Sequence, residues 1–163
     1  MKKFLSFLLN IFMIIWQLPQ LTLGFLVWLF GTTNKKRKDT EYSCRYFYTT
    51  EGRWGVSLSH FIVINKAYHD KYTLLHEAGH KKQSKIFGPL YLLIIGLPSI
   101  TFNIIDRFFH NSWSWKKRTY WYYHLPWEYG ANKLSGIDVD ENGHWSIVDE
   151  EKNYSWREIG SWV

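Results

Sequence analysis

The pattern of apolar and polar residues begins with a long apolar run from Phe4 to Phe30, which only Gln17-Leu18-Pro19-Gln20 interrupts. As one kinked helix, this run is long enough to cross a bilayer core of about 30 Å. As two arms that turn at Pro19, each half is too short to span and the element enters one leaflet. We therefore predict a membrane anchor or hairpin at residues 1–31.

A basic linker is predicted at residues 32–41, followed by two stretches rich in β-branched and aromatic residues. These stretches, residues 42–50 and 56–65, are predicted strands, and Glu51-Gly52-Arg53 between them is a turn signal. The second predicted strand leads through a short loop into the helix described below.

Residues 86–105 form a second apolar run, which Gly88-Pro89 and Gly96-Leu97-Pro98 interrupt, so that an unbroken helix is not expected. A single crossing here would separate the chain before it from the chain after it by about 30 Å. No later residue could then complete a site with earlier ones outside the membrane. We therefore predict a re-entrant hairpin or a core segment.

Between the two apolar runs lies His76-Glu77-Ala78-Gly79-His80, an H-E-x-x-H pattern. Residues 70–85 contain no proline and Asp70 is a candidate N-cap, which predicts a helix. On a helix, His76 and His80 project from the same face and can share one tetrahedral metal ion. Glu77 can reach a water at that metal and act as its general base. The alternative is a pair of structural histidines.

A third ligand is sought on a second helix, which Pro126 and Gly136 delimit. Glu128 and Asn132 lie four residues apart on one face of it. Glu128 is the candidate third ligand, and the Asn132 carbonyl oxygen can accept the ring N–H of a ligand histidine. The alternative ligands are Asp106, His110 and His124.

The charge distribution favours a membrane over a nucleic acid as partner. The net charge is +6, and residues 1–38 account for all of it with six basic residues and no acid. Basic residues that flank an apolar run orient a membrane segment rather than line a phosphate-binding face. If the first run spans once, the cluster at residues 35–38 predicts that the domain after it is cytoplasmic. The aromatic fraction of 20% also suits a membrane interface.

On these residues the chain resembles the gluzincin zinc metallopeptidases, especially the small membrane-associated minigluzincins, which include the prenyl-protein endoproteases. The matching positions are His76, Glu77 and His80, then Glu128, Ala131 and Asn132 of an E-x-x-A-[DN] motif. The longer phrase around the first motif is also similar to small H-E-x-G-H proteins and to toxin-associated peptidase-like domains. The resemblance covers residues 57–136.

The resemblance implies an α+β, zincin-like domain at residues 42–136 that hydrolyses peptide bonds in a protein or peptide substrate. His76, His80 and Glu128 would bind Zn²⁺, and Glu77 would activate water. Tyr123 and His124, with Tyr120 and Tyr122, are candidates to stabilise the transition state. In zinc peptidases the strand before the motif helix often offers its edge to the substrate backbone.

A non-catalytic membrane protein that uses the same fold to bind a protein partner is the alternative function. It shares every metal ligand with the enzyme. Glu77 distinguishes the two readings, because metal binding alone does not need that carboxylate.

The last stretch, residues 137–163, is predicted to be an acidic hairpin and tail. Asn142-Gly143 between two apolar segments is the hairpin signal. The single cysteine, Cys44, cannot form a disulfide within the chain.

Overall fold

A computed structural model describes residues 2–30, 35–39, 44–49, 55–65 and 71–149, with the backbone alone at residues 2, 35–39, 44–49 and 65. Within these ranges the chain mixes six helices with two small sheets, which confirms the α+β class. The predicted turn at 51–53, the N-cap Asp70 and the tail after residue 149 lie outside the described residues. The helices are α1 Lys2–Trp16, α2 Leu18–Phe30, α3 Lys71–Phe87, α4 Leu97–Phe109, α5 Trp115–Tyr123 and α6 Pro126–Ser135.

The larger sheet has the order β1-β2-β4-β3. Its strands are β1 Lys35–Asp39, β2 Cys44–Thr49, β3 Gly55–Leu58 and β4 Phe61–Asn65. β1 lies inside the predicted linker and pairs antiparallel with β2, and the second predicted strand is in fact the hairpin β3–β4. The hairpin turns at Ser59, whose φ of 61° is left-handed. β4 pairs parallel with β2, so β3 lies at the edge of the sheet.

Both faces of β4 are buried, and the N-terminal helices supply one cover. Ile62 and Ile64 pack against α3, whereas Phe61 and Val63 pack against residues of α2. Alternate residues of a strand point to opposite faces, so a run of apolar residues predicts this double burial. α2 is therefore a layer of the fold as well as an apolar surface helix, and the boundary predicted at residue 31 does not separate two packing units.

A polar elbow joins α1 and α2, which are bent by 73° relative to each other. The break falls at Gln17, and Pro19 lies in the first turn of α2 instead of in a turn. Gln17 and Gln20 are buried, and their amides hydrogen-bond to Ser84 of α3 at 3.1 and 3.0 Å. The glutamines that interrupt the apolar run therefore dock the helix pair onto the domain.

The second apolar run continues as helix beyond α3. A 3₁₀ turn, Gly88–Leu90, and a π-helical turn, Leu92–Gly96, lead directly into α4. Pro98 lies just after the π-helical turn, the kind of irregular turn that accommodates a residue without a backbone N–H inside a helix. No residue of α4 is buried, whereas Tyr91 and Ile95 earlier in this run belong to the core. Residues Leu92–Phe109 form one helix long and apolar enough to cross a membrane.

The chain returns along α4 before it reaches α6. Arg118 of α5 donates to Asp106 at 2.5 Å, Tyr122 lies 3.1 Å from Ser99, and a ring of α6 contacts Phe102. α5 and α6 therefore lie alongside α4, and α6 comes back to α3. The predicted helix between Pro126 and Gly136 is confirmed.

α3 and α6 pack closely at Gly79, where an added Cβ would clash with the backbone of Ala131. Gly136 ends α6 in the left-handed conformation at φ 67°. It leads into β5 Ile137–Val139, which pairs antiparallel with β6 Trp145–Ile147, and the predicted hairpin is confirmed. Ile137 and Val139 are buried, so this hairpin belongs to the core instead of to a solvated C-terminal region.

Candidate metal centre

Three side chains converge where α3 faces α6. His76 and His80 project from one face of α3, and Glu128 lies in the first turn of α6. The two imidazole Nε2 atoms are 3.1 Å apart, and Glu128 Oε2 lies 3.0 Å from that of His76 and 3.1 Å from that of His80. These three buried side chains could hold a metal ion.

Hydrogen bonds at the opposite ring nitrogens orient both imidazoles. Asn132 Oδ1 lies 2.7 Å from His76 Nδ1, and Gln83 Oε1 lies 2.7 Å from His80 Nδ1. Gln83 is itself oriented, because its amide nitrogen donates to the Trp127 carbonyl at 2.7 Å. A ring whose Nδ1 donates to a carbonyl oxygen keeps a free lone pair on Nε2.

Three lone-pair atoms therefore face one point, an arrangement that requires a cation, either a proton or a metal. A tetrahedral zinc with bonds of about 2.0–2.1 Å separates its ligands by about 3.4 Å. The observed sides of 3.0–3.1 Å are slightly shorter. The donor set and spacing are thus close to those of a tetrahedral metal site.

The electrostatics of the site also favour a cation. Burial would raise the pKa of Glu128, but the neighbouring histidines outweigh it and lower that pKa, so the carboxylate stays ionised. Burial would lower the pKa of His80, yet Glu128 raises it to about 9. Burial raises the pKa of Glu77, and the histidines offset this only in part. Two buried carboxylates are costly unless positive charge lies between them.

Glu77 lies beside the cluster and borders the edge strand. An added Cβ on Gly55 of β3 would clash with Glu77 Oε1, so the glycine leaves room for the carboxylate. Within the described part of the chain, Glu77 Oε2 is buried without a hydrogen-bond partner. A buried carboxylate oxygen that is left unpaired suits a water or a substrate proton as its partner.

Aromatic residues enclose the centre. The Tyr122 hydroxyl lies 3.2 Å from Glu128 Oε1, and burial together with that carboxylate raises the pKa of Tyr122, so the hydroxyl stays protonated and can donate. The Tyr123 ring meets His76 edge-on at 5.0 Å. Trp145 of the C-terminal hairpin packs on Tyr123 at 4.6 Å and covers the same imidazole.

The other predicted candidates lie elsewhere. The His124 ring packs on Tyr120 and Tyr129, away from the three converging side chains. Asp106 and His110 contact each other near the end of α4, where Asp106 also pairs with Arg118. None of the alternative ligands thus reaches the centre, and of the four transition-state candidates only Tyr122 and Tyr123 line its cavity.

A cavity of about 590 Å³ opens from the metal centre. Glu77, His76, His80 and Glu128 line its inner end. Apolar residues of α2, β3, the π-helical turn and α4 line most of the rest, together with Ser57, Ser99, Asn103 and Arg107. The volume is within the range of about 300–1,000 Å³ that is usual for ligand sites.

Gln83 and Gly55 are functional candidates that sequence reasoning missed. Gln83 follows His80 by three residues on one helix, and that spacing was a usable signal for a side-chain contact. Gly55 precedes the motif by more than twenty residues, and only the packing of β3 against α3 brings it to Glu77.

No protein-family model matches the chain, and no curated protein or solved structure is significantly similar to it.

Proposed function

We propose that this chain is a membrane-associated zinc metallopeptidase of the gluzincin type. One observation carries the proposal: two imidazole nitrogens and a carboxylate oxygen converge within 3.1 Å of one another beside the buried Glu77, at the inner end of a cavity. Metal binding alone would explain the first three groups. It would not explain a fourth, an unpaired carboxylate held next to them.

The proposed mechanism assigns a role to each residue. His76, His80 and Glu128 hold the zinc, and when bound the ion supplies Lewis acidity that makes water nucleophilic and polarises a peptide carbonyl. Glu77 takes the proton from the attacking water and returns it to the leaving amine.

Three neighbours support these groups. Asn132 and Gln83 keep the two imidazoles in the tautomer whose Nε2 lone pair faces the ion. Tyr122 donates to the Glu128 oxygen that does not face the histidines, which fixes the carboxylate plane. The strand edge at Gly55 lies next to Glu77, where an extended substrate backbone can pair with it.

The membrane association follows from the surface. α1, α2 and α4 expose large apolar side chains over most of their length, including Phe4, Phe12, Leu26, Ile100 and Phe108. An exposed apolar area of this extent marks a membrane or protein contact. If residues 1–31 cross the membrane once, the basic cluster at residues 35–38 favours a cytoplasmic catalytic portion.

The decisive experiment compares Glu77→Gln with the wild type in detergent. We expect one zinc per chain in both proteins, because Glu77 is not a ligand, and a loss of peptide hydrolysis of about 10²–10⁴-fold in the variant. Glu141→Gln, which changes an exposed acid in the C-terminal hairpin, is the matched control and should leave both properties unchanged. Hydrolysis that survives in Glu77→Gln would refute the mechanism. Zinc binding without hydrolysis in the wild type would favour the partner-binding alternative.

A further inference from the structure

The cavity at the metal centre continues between two helices of the apolar surface. Leu23 and Val27 of α2 form one wall, and Ile100 and Ile104 of α4 form the other. The inner end is polar because the metal ligands and Glu77 lie there. A molecule that enters along this path therefore moves from apolar walls to the reactive groups.

The outer walls belong to the surface that faces the lipid under the proposed function. Leu97 and Ile100 line the cavity and are also 58% and 54% exposed, and Leu23 is 42% exposed. The cavity is thus continuous with the exposed apolar face of α2 and α4.

The length of the cavity beyond the metal ligands is set by α4, on which Ile100 and Ile104 line it together with Asn103 and Arg107. Ser99 lies beside Tyr122 at the inner end, and Arg107 lines the cavity two helical turns further along. At a rise of about 1.5 Å per residue these positions are about 12 Å apart along the helix. An extended peptide covers that distance with about three or four residues.

The edge of β3 favours a peptide over a lipid chain as the occupant. Gly55 and Ser57 both line the cavity. In a two-residue hairpin such as β3–β4, these two residues direct their backbone groups away from β4. The Ser57 carbonyl already accepts a hydrogen bond from the Tyr91 hydroxyl at 2.9 Å. Among the described residues of β3, the backbone of Gly55, next to Glu77, is therefore the part of the strand edge that a substrate can pair with. A peptide backbone can pair with that edge, and an acyl chain cannot.

We infer that the substrate is an apolar peptide segment that enters sideways from a lipid bilayer, with about three or four apolar residues held between α2 and α4 on one side of the scissile bond. This inference rests on the proposed peptidase function. The apolar walls select the side chains, and the β3 edge at Gly55 sets the direction of the backbone beside Glu77.

The test measures binding, so it does not require hydrolysis. Zinc-loaded Glu77→Gln protein in phosphatidylcholine nanodiscs is titrated with a dansylated peptide that has a leucine core flanked by lysines, and with the same peptide carrying serine in the core. Fluorescence anisotropy, corrected with empty nanodiscs, reports binding. We expect the leucine peptide to bind at least about tenfold more tightly, since each buried leucine contributes strongly.

Two tryptophan variants in that background separate the cavity from the bilayer. Ile100→Trp fills the cavity and should weaken binding of the leucine peptide about tenfold. Leu93→Trp adds the same side chain at a 64% exposed position that does not line the cavity, and should leave binding unchanged. Zinc content verifies the fold of each protein, and Ile104→Trp replaces Ile100→Trp if the latter does not fold.

Equal binding in the two tryptophan variants, or equal binding of the leucine and serine peptides, would overturn the inference. Lipid that copurifies with the protein, is displaced by Ile100→Trp and is not displaced by the peptide would also overturn it, in favour of an acyl chain. Wild-type protein that hydrolyses both peptides at the same rate would refute the inference and leave the peptidase function intact. Selective binding of the leucine peptide, without hydrolysis by the wild-type protein, would refute the peptidase function and leave the inferred binding mode intact.

Discussion

The α3–α6 interface and the outer surface of α1, α2 and α4 distribute polar and apolar side chains in opposite ways. At the interface, charged and polar groups such as His80, Glu77 and Glu128 are almost completely buried. On the outer surface, large apolar side chains such as Phe12 and Ile15 are exposed. A soluble domain usually buries the second kind of group and exposes the first.

Under the proposed membrane association, two different solvents account for the two regions. Buried polar groups persist when they satisfy one another or bind an ion, and the interface meets this condition through Asn132, Gln83 and the converging ligands. Exposed apolar groups persist without aggregation when lipid covers them. The elbow at Gln17 and Gln20 joins the two regions, because these buried glutamines belong to the apolar helix pair and hydrogen-bond to Ser84 of α3.

The largest expected effect comes from Glu128→Ala, which removes a ligand from the interface. Loss of a group that only supports a ligand already costs about 10–100-fold in metal affinity, so loss of the ligand itself should cost more. Zinc content and affinity of detergent-purified protein measure the effect. Glu141→Ala is the control at an exposed acid. Zinc bound at wild-type affinity by Glu128→Ala would show that the three side chains do not form the site.

A smaller loss is expected when the ligands stay and their support is removed. Asn132→Ala and Gln83→Ala each release one imidazole from its orienting bond, and we expect zinc affinity to fall about 10–100-fold. The conservative variant Gln83→Glu keeps an acceptor oxygen at His80 Nδ1 and should lose less than Gln83→Ala. Equal losses in the two Gln83 variants would indicate a role in packing alone. Competition with a chromogenic chelator measures all three.

Exchanging polarity across the elbow sharpens the comparison. Gln20→Leu makes α2 more apolar but removes the amide that donates to Ser84 and to the Gly88 carbonyl. We expect this variant to destabilise the domain by about 1–3 kcal/mol. Ile15→Gln replaces a 63% exposed apolar residue of α1 with a polar one. It should change the free energy of unfolding by no more than about 0.5 kcal/mol and should weaken vesicle binding. Denaturation in detergent and vesicle flotation measure the two properties. The opposite pattern would mean that α1 and α2 contact protein instead of lipid.

The smallest effect concerns pH. Because Glu128 raises the pKa of His80 to about 9, zinc must displace a proton from this imidazole at neutral pH. We therefore expect zinc affinity to rise with pH up to about 9, and about one proton to be released per ion bound at pH 7. Calorimetry in two buffers with different ionisation enthalpies counts the proton. Affinity that is constant between about pH 6 and 8 would contradict the proposed protonation of the site.

Local patterns predicted much of the fold and of the site. Helix spacing places His76 and His80 on one face of α3, and Glu128 and Asn132 on one face of α6. Pro126 and Gly136 mark the ends of α6 because the backbone preferences of proline and glycine are intrinsic. The structure brings these four side chains together. Predictions failed where the outcome depended on packing: a basic segment became strand β1 by pairing with β2, and one predicted strand became the hairpin β3–β4.

The sequence by itself determined the chemistry that is available: an H-E-x-x-H helix, a glutamate on a second helix and apolar runs with polar interruptions. Each of these depends on residues a few positions apart, whose geometry the helix fixes. Tertiary structure alone decided that Gly55 leaves room for Glu77, that Gln83 is anchored on Trp127, that Trp145 covers His76 and that the elbow glutamines face α3. These contacts join segments that are distant in the chain. They form only when burial of the apolar surfaces between these segments brings the neighbouring polar groups within contact distance.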